Sequence, residues 1–95
     1  MNYKVVVGEP ASIFVRRLSP EPRRAVKKAL KALCSEHGEI RSLEKELSGF
    51  YRVRVGKYRI IFRYRDEHTI EVPFVEERRI VYEVFAEQFI QRLKS

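Results

Sequence analysis

Apolar residues recur along this chain in two periods, and the change of period divides it. Tyr3 to Val7 is β-rich and predicts a first strand, stopped by Gly8-Glu9-Pro10. Ala11, Phe14, Val15 and Leu18 then fall at i, i+3, i+4 and i+7, the buried stripe of a short helix with Arg16 and Arg17 turned outward. Ser19-Pro20-Glu21-Pro22 restarts the chain: Ser19 suits an N-cap, Pro20 the first helical position, and Glu21 the positive helix end. Val26, Ala29, Leu30, Leu33 and Cys34 repeat the stripe and predict a second helix, with Gly38 as its stop. Cys34 is thereby a packing residue. The opposite face carries Arg23, Arg24, Lys27, Lys28 and Lys31, which reads first as a solvated surface and second as a phosphate or partner contact.

Residues 39–46 are charged, with Ile40, Leu43 and Leu47 as sparse anchors, and read as a connection or a ragged helical extension. From Tyr51 the period is two. Tyr51, Val53 and Val55 alternate with Arg52 and Arg54, and after Gly56-Lys57 the residues Tyr58, Ile60, Phe62 and Tyr64 continue the alternation, which predicts a hairpin. Gly at the first turn position supplies the positive φ of a type II′ turn. Asp66-Glu67-His68 makes the next turn, into a strand from Thr69 to Val75 whose apolar face is Ile70, Val72 and Phe74; Pro73 within it implies an edge or a bulge. Tyr82, Phe85, Ala86, Phe89, Ile90 and Leu93 return to helical spacing. The pattern predicts an α+β fold in the order β-α-α-β-β-β-α, a small antiparallel sheet carrying two N-terminal helices and a C-terminal helix, as one domain over residues 1–95.

The chain has 95 residues, enough for one small core. Its longest apolar runs, Val5 to Val7 and Ile60 to Phe62, are far too short to cross a bilayer, and its start lacks a signal-peptide pattern, so the expected location is the cytoplasm. A single cysteine forms no internal disulfide, and with His37 and His68 as the only histidines no ordinary zinc site is expected; neither metal nor cofactor is called for. Lys and Arg number 20 against 13 Asp and Glu, a net charge of +7. That excess favours a polyanion, nucleic acid first, although charge of this size also serves solubility alone.

The hairpin says where the charge falls. With Gly56 and Lys57 as the turn, Val55 meets Tyr58, Val53 meets Ile60 and Tyr51 meets Phe62, a clean apolar face. The same register sets Arg54 directly opposite Arg59 on the other face, with Arg52 diagonal to them and Arg63 further along. Like charges in direct opposition are destabilising unless an anion bridges them, and guanidinium forks match phosphate oxygens. The alternative is a solvated face of splayed side chains. Arg78, Arg79 and Tyr82 add two cations and a phenol in one later turn, where Tyr82 also begins the last apolar stripe.

Leu47-Ser48-Gly49-Phe50-Tyr51-Arg52-Val53-Arg54-Val55-Gly56-Lys57-Tyr58-Arg59, followed by Arg78-Arg79-Ile80-Val81-Tyr82, resembles the RelE/ParE superfamily of type II toxins from toxin–antitoxin pairs. The resemblance implies a compact toxin that enters the ribosomal decoding site, cuts messenger RNA there without a metal, and is silenced by a cognate antitoxin. It implies catalytic positions at Arg52, Arg54 and Arg59, at Arg78 or Arg79, and at Tyr82. Two departures stand out. Many relatives have His just before the late arginines, where this chain has Glu77, and ribosome-dependent members often have Lys where this chain has Arg52 and Arg54. Arginine stays protonated and makes a poor general base, so proton removal from the ribose 2′-hydroxyl falls to Glu77 or to a ribosomal group, with Tyr82 orienting the hydroxyl or stacking on a base. A ParE-like inhibitor of DNA gyrase shares the fold and needs no such chemistry, and a nucleic-acid-binding relic without activity is the third reading.

Overall fold

The computed structural model describes residues 2–77. Within them the elements run β1 (Lys4–Val7), α1 (Glu9–Arg16), α2 (Pro20–Ala32), β2 (Ile40–Ser42), β3 (Tyr51–Val55), β4 (Tyr58–Tyr64) and β5 (Thr69–Glu77). The final helix expected over residues 82–93, together with Arg78, Arg79 and Tyr82, lies outside the described residues. The α+β class stands, but the sheet is mixed rather than antiparallel. Five strands run in the order β1-β5-β4-β3-β2, and β1 pairs parallel to β5, Val5 beside Ile70 and Val7 beside Val72. The extra strand is β2, which antiparallel pairing builds against β3 from residues expected to be a connection or helical extension.

The helices cover one face of the sheet. Ala11 and Val15 of α1 and Val26 of α2, with Leu33 just beyond it, close over Val53, Ile60, Phe62, Ile70, Val72 and Val75, all nearly or fully excluded from solvent. The i, i+3, i+4 stripes and the period-two stripe are two halves of this one core, and burying a large side chain in it is worth about 1.5–3 kcal/mol. Ser19 holds the N-cap position of α2, yet its hydroxyl makes no cap bond. Arg23 does not share the exposed basic face: its Nε and Nη2 donate to the Leu18 carbonyl at 3.2 and 2.8 Å, satisfying the chain between the helices. α2 also ends earlier than Gly38 implied. A short 3-10 turn over Leu33–Ser35 follows it, and the left-handed residue is Glu36, φ 54°. Cys34 is half-buried, and its carbonyl accepts the Tyr3 N–H at 2.7 Å, tying the strand start to the helix end.

The hairpin register is the expected one: Tyr51 faces Phe62, Val53 faces Ile60, Arg54 faces Arg59 and Val55 faces Tyr58. Gly56 has φ +58°, as the turn requires. β5 departs from expectation at Pro73. Between the pairs Ile61–Phe74 and Arg63–Glu71, β4 advances two residues while β5 advances three, so β5 is bulged there. The bulge, not an edge position, accommodates the proline, because β5 lies between β1 and β4 and a proline has no N–H to offer a ladder. β1 has already ended at Val7, and Gly8 turns into α1 so close to the bulge that a Cβ would sit 3.2 Å from the Val72 carbonyl oxygen.

One consequence is a change of face. Phe74 does not join Ile70 and Val72 under the helices; it packs with Leu47, Phe50 and Ile61 in a second small cluster beneath the sheet, with Leu43 against it. Residues 43–50 thereby become a cover for the far face.

At one end of the helix-covered face, Tyr51 stacks on Phe62 at 5.6 Å and meets Tyr64 edge-on at 5.2 Å, while Tyr3 meets Tyr64 at 5.4 Å. The Tyr64 hydroxyl donates to Glu36 Oε2 at 2.6 Å. Burial first, then this bond and the Glu36 charge, push the Tyr64 phenol well above the ordinary tyrosine range. Since the folded state then holds the proton more tightly than the unfolded state, this contribution to stability is whole below about pH 10 and declines as pH rises beyond it. In a phenolate absorbance titration, one of the five tyrosines should ionise late, and Tyr64→Phe should remove that late phase; its persistence in the variant would assign it elsewhere. The second turn is ordinary: the Asp66 carboxylate accepts the His68 N–H at 2.8 Å, which holds its carboxyl below the usual range.

Candidate nucleic-acid interface

Alternation along a strand sends consecutive side chains to opposite faces. The hairpin that commits Val53 and Ile60 to the core therefore commits Arg52, Arg54 and Arg59 to the other side. β2 adds a fourth cation, since Arg41 is directly across from Arg52. Arg54 and Arg41 are exposed, and Arg52 and Arg59 half-buried. Among the described residues Arg52 Nη1 is buried without a hydrogen-bond partner. Burial first, then the charges of Arg54, Arg59 and Arg41, bring the Arg52 guanidinium below its ordinary value, with Glu39 opposing them. A guanidinium remains charged through such a shift. Both causes, burial and the neighbouring cations, are ones that a bound anion would offset.

The arginines of this face fall into two groups. Arg63 donates from Nε to Glu71 Oε1 at 2.8 Å, Arg65 lies 3.6 Å from Glu71 Oε2, and the Arg63 guanidinium sits 5.5 Å from the Phe50 ring centre. Glu71 thus compensates these two. The apolar cluster of Leu47, Phe50, Ile61 and Phe74 stands between them and the set of Arg41, Arg52, Arg54 and Arg59.

The acidic residues at the end of β5 are placed by the bulge. Unbroken alternation from Ile70 and Val72 sends Glu76 to the helix side and Glu77 to the arginine side. The extra residue at Pro73 reverses this: Glu76 pairs with Arg59, and Glu77 pairs with Tyr58. Glu77 lies 3.4 Å from Lys57 Nζ at the hairpin tip. The carboxylate in register with the set of Arg41, Arg52, Arg54 and Arg59 is accordingly Glu76, which sequence reasoning missed because nothing but Pro73 signals the change of phase. It missed Arg41 as well, because three residues of alternation in Ile40-Arg41-Ser42 are too few to declare a strand.

The structure therefore brings Arg52, Arg54 and Arg59 together as expected, adds Arg41 and Glu76 to them, and sets Glu77 apart. Among the described residues no helix is long and apolar enough to cross a membrane.

The fold that carries these residues has counterparts. A family model described as the ParE toxin of type II toxin–antitoxin system, parDE, matches residues 13–82. No curated protein matches the chain. Among solved structures, the toxin–antitoxin complex RelBE2 of Mycobacterium tuberculosis contains a chain 26% identical, with TM-score 0.66, covering 82% of this chain and 100% of its own. The archaeal RelE–RelB complex of Pyrococcus horikoshii gives 22% identity, TM-score 0.65 and coverage of 85% and 100%. A mutant of E. coli toxin RelE in the free state gives 21% identity and TM-score 0.71 over 96% of this chain and 98% of that one. At these identities the last two establish the likeness of fold.

Proposed function

The chain belongs to the ParE toxin family of type II toxin–antitoxin systems, within the RelE/ParE superfamily, and from that premise we propose that it is a ribosome-dependent endoribonuclease that cuts translated messenger RNA. The observation that carries this reading is the set of four arginines on one face of three adjoining strands, with a buried Arg52 nitrogen lacking a protein partner among the described residues. A gyrase inhibitor has no need of such a set, whereas a phosphodiester under attack does.

In this reading the ribose 2′-oxygen attacks the adjacent phosphorus as its proton passes to a base. The bond to the 5′-oxygen breaks, that oxygen takes up a proton, and the products are a 2′,3′-cyclic phosphate and a free 5′-hydroxyl. Arg54 and Arg59 stabilise the charge gathering on the phosphorane oxygens, and rigid strands hold them in place beforehand. Glu76, across from Arg59 in the β4–β5 ladder, is the carboxylate assigned as the base in this reading; a ribosomal group is the other source. The ribosome supplies substrate alignment.

A second reading is the inhibition of DNA gyrase that the resemblance to ParE-like toxins implies, and the family model that matches is a ParE toxin model. Induction in bacteria separates the two. The nuclease arrests growth with cuts in transcripts that are being translated and none in the same transcripts lacking a start codon, while plasmid supercoiling stays normal. Loss of supercoiling with intact messages would replace the nuclease with the gyrase inhibitor.

The solved complexes supply the expected partner, a cognate antitoxin. With a net charge of +7 on the toxin, an acidic antitoxin segment should bind more weakly as salt rises; affinity that is flat with ionic strength would remove charge as the driving force.

A further inference from the structure

The sheet carries two arginine pairs, and the chemistry above uses one. Arg54 opposes Arg59 across β3 and β4, and Arg41 opposes Arg52 across β2 and β3. β3 contributes one member to each pair, two residues apart, so the pairs are separated by about 7 Å along the strand. Within a pair the side chains leave the backbone about 5 Å apart. One phosphodiester carries one negative charge and cannot balance four guanidinium groups, whereas two successive phosphodiesters place anions at both positions.

Among the described residues the second pair is only weakly compensated. Glu39 comes no nearer than 3.9 Å to Arg41, with both side chains mostly exposed, which is worth little. Arg52 has Ile61 as its other cross-strand neighbour. Among the described residues only the first pair has a carboxylate in its cross-strand register, Glu76 across from Arg59, so that is the pair equipped for proton transfer. The geometry points to Arg41 as a positioning residue which, with Arg52, grips the phosphate next to the scissile one and so fixes which linkage reaches Arg54 and Arg59. The inference rests on the nuclease reading. A different role for Arg41, as a charge that guards an edge strand against unwanted pairing, makes no demand on a substrate phosphate.

The test uses ribosomes programmed with a message in which the phosphodiester on one side or the other of the cut is replaced by an uncharged methylphosphonate. For the parent toxin, one of these replacements should lower kcat/KM about tenfold, mainly through KM. Arg41→Ala should lose about the same factor on the native message and lose no more on that methylphosphonate message, because the contact is already gone. Arg41→Lys should recover part of the loss. The edge position and exposure of Arg41 leave the fold intact in these variants. Losses that multiply at both linkages, or an Arg41→Ala toxin as fast as the parent, would overturn the inference while the nuclease reading stands. A parent that cuts no translated message would remove both.

Discussion

Arg59→Ala should cut translated messages at least about 10²-fold more slowly than the parent, the loss lying mainly in kcat. Arg59 faces Arg54 at the centre of the arginine face and is the one member of that pair with a carboxylate in register. Its removal takes away a donor set to meet charge that grows only in the transition state. The fold should hardly respond. The side chain is half-buried on the far side of the sheet from the main core, and relief of the Arg54–Arg59 opposition offsets the interactions lost with the guanidinium, so stability should stay within about 1 kcal/mol. Quenched single-turnover cleavage on programmed ribosomes, paired with thermal melting, reads both quantities. Glu76→Gln and Glu77→Gln extend the comparison: a cutting rate that falls and loses its pH dependence only in the first assigns the base to the arginine face. Should Arg59→Ala arrest growth as well as the parent does, the arginine face is not where the toxin acts.

Phe62→Ala should be the most damaging single truncation for stability. Phe62 is fully buried, stacks on Tyr51, and meets Tyr64 edge-on. Phe-to-Ala changes at such sites cost about 3–5 kcal/mol, out of a total near 5–15 kcal/mol for a domain. At about 4–8 °C per kcal/mol for a chain of this size, melting should fall on the order of 20 °C, with urea unfolding shifted in parallel. Phe74→Ala supplies the contrast. Its ring lies in the smaller cluster under residues 43–50, where the cover can settle into the space, so the loss should be clearly less. Equal losses would mean that the two clusters fold as one unit.

The regular parts of this molecule were legible in its sequence. Thirteen residues of α2 and the seven of β4 give each periodicity room to repeat, and the Gly56 turn fixes the register of β3 against β4, so the pairing of Arg54 with Arg59 was legible as well. What escaped was short, non-local or dependent on a single residue. β2 is three residues long and exists because β3 offers it a ladder, so no local pattern announces Arg41. The parallel seat of β1 beside β5 joins residues more than sixty positions apart. The 3-10 turn that follows α2 is closed by Glu36 in a left-handed conformation, where Gly38 carried the stronger local signal.

Pro73 also limits how this protein can change over generations. Most small domains accept an added or lost residue at a strand end or turn with local repair. In β5 the same event at the bulge would slide Phe74 and Val75 between the two sides of the sheet and exchange Glu76 for Glu77 beside Arg59, striking the interior and the arginine face at once. Length variation among descendants should therefore collect in the turn at Asp66-Glu67-His68 and be purged between Ile70 and Glu77, a bias that deep insertion and deletion scanning under antitoxin-free selection would expose.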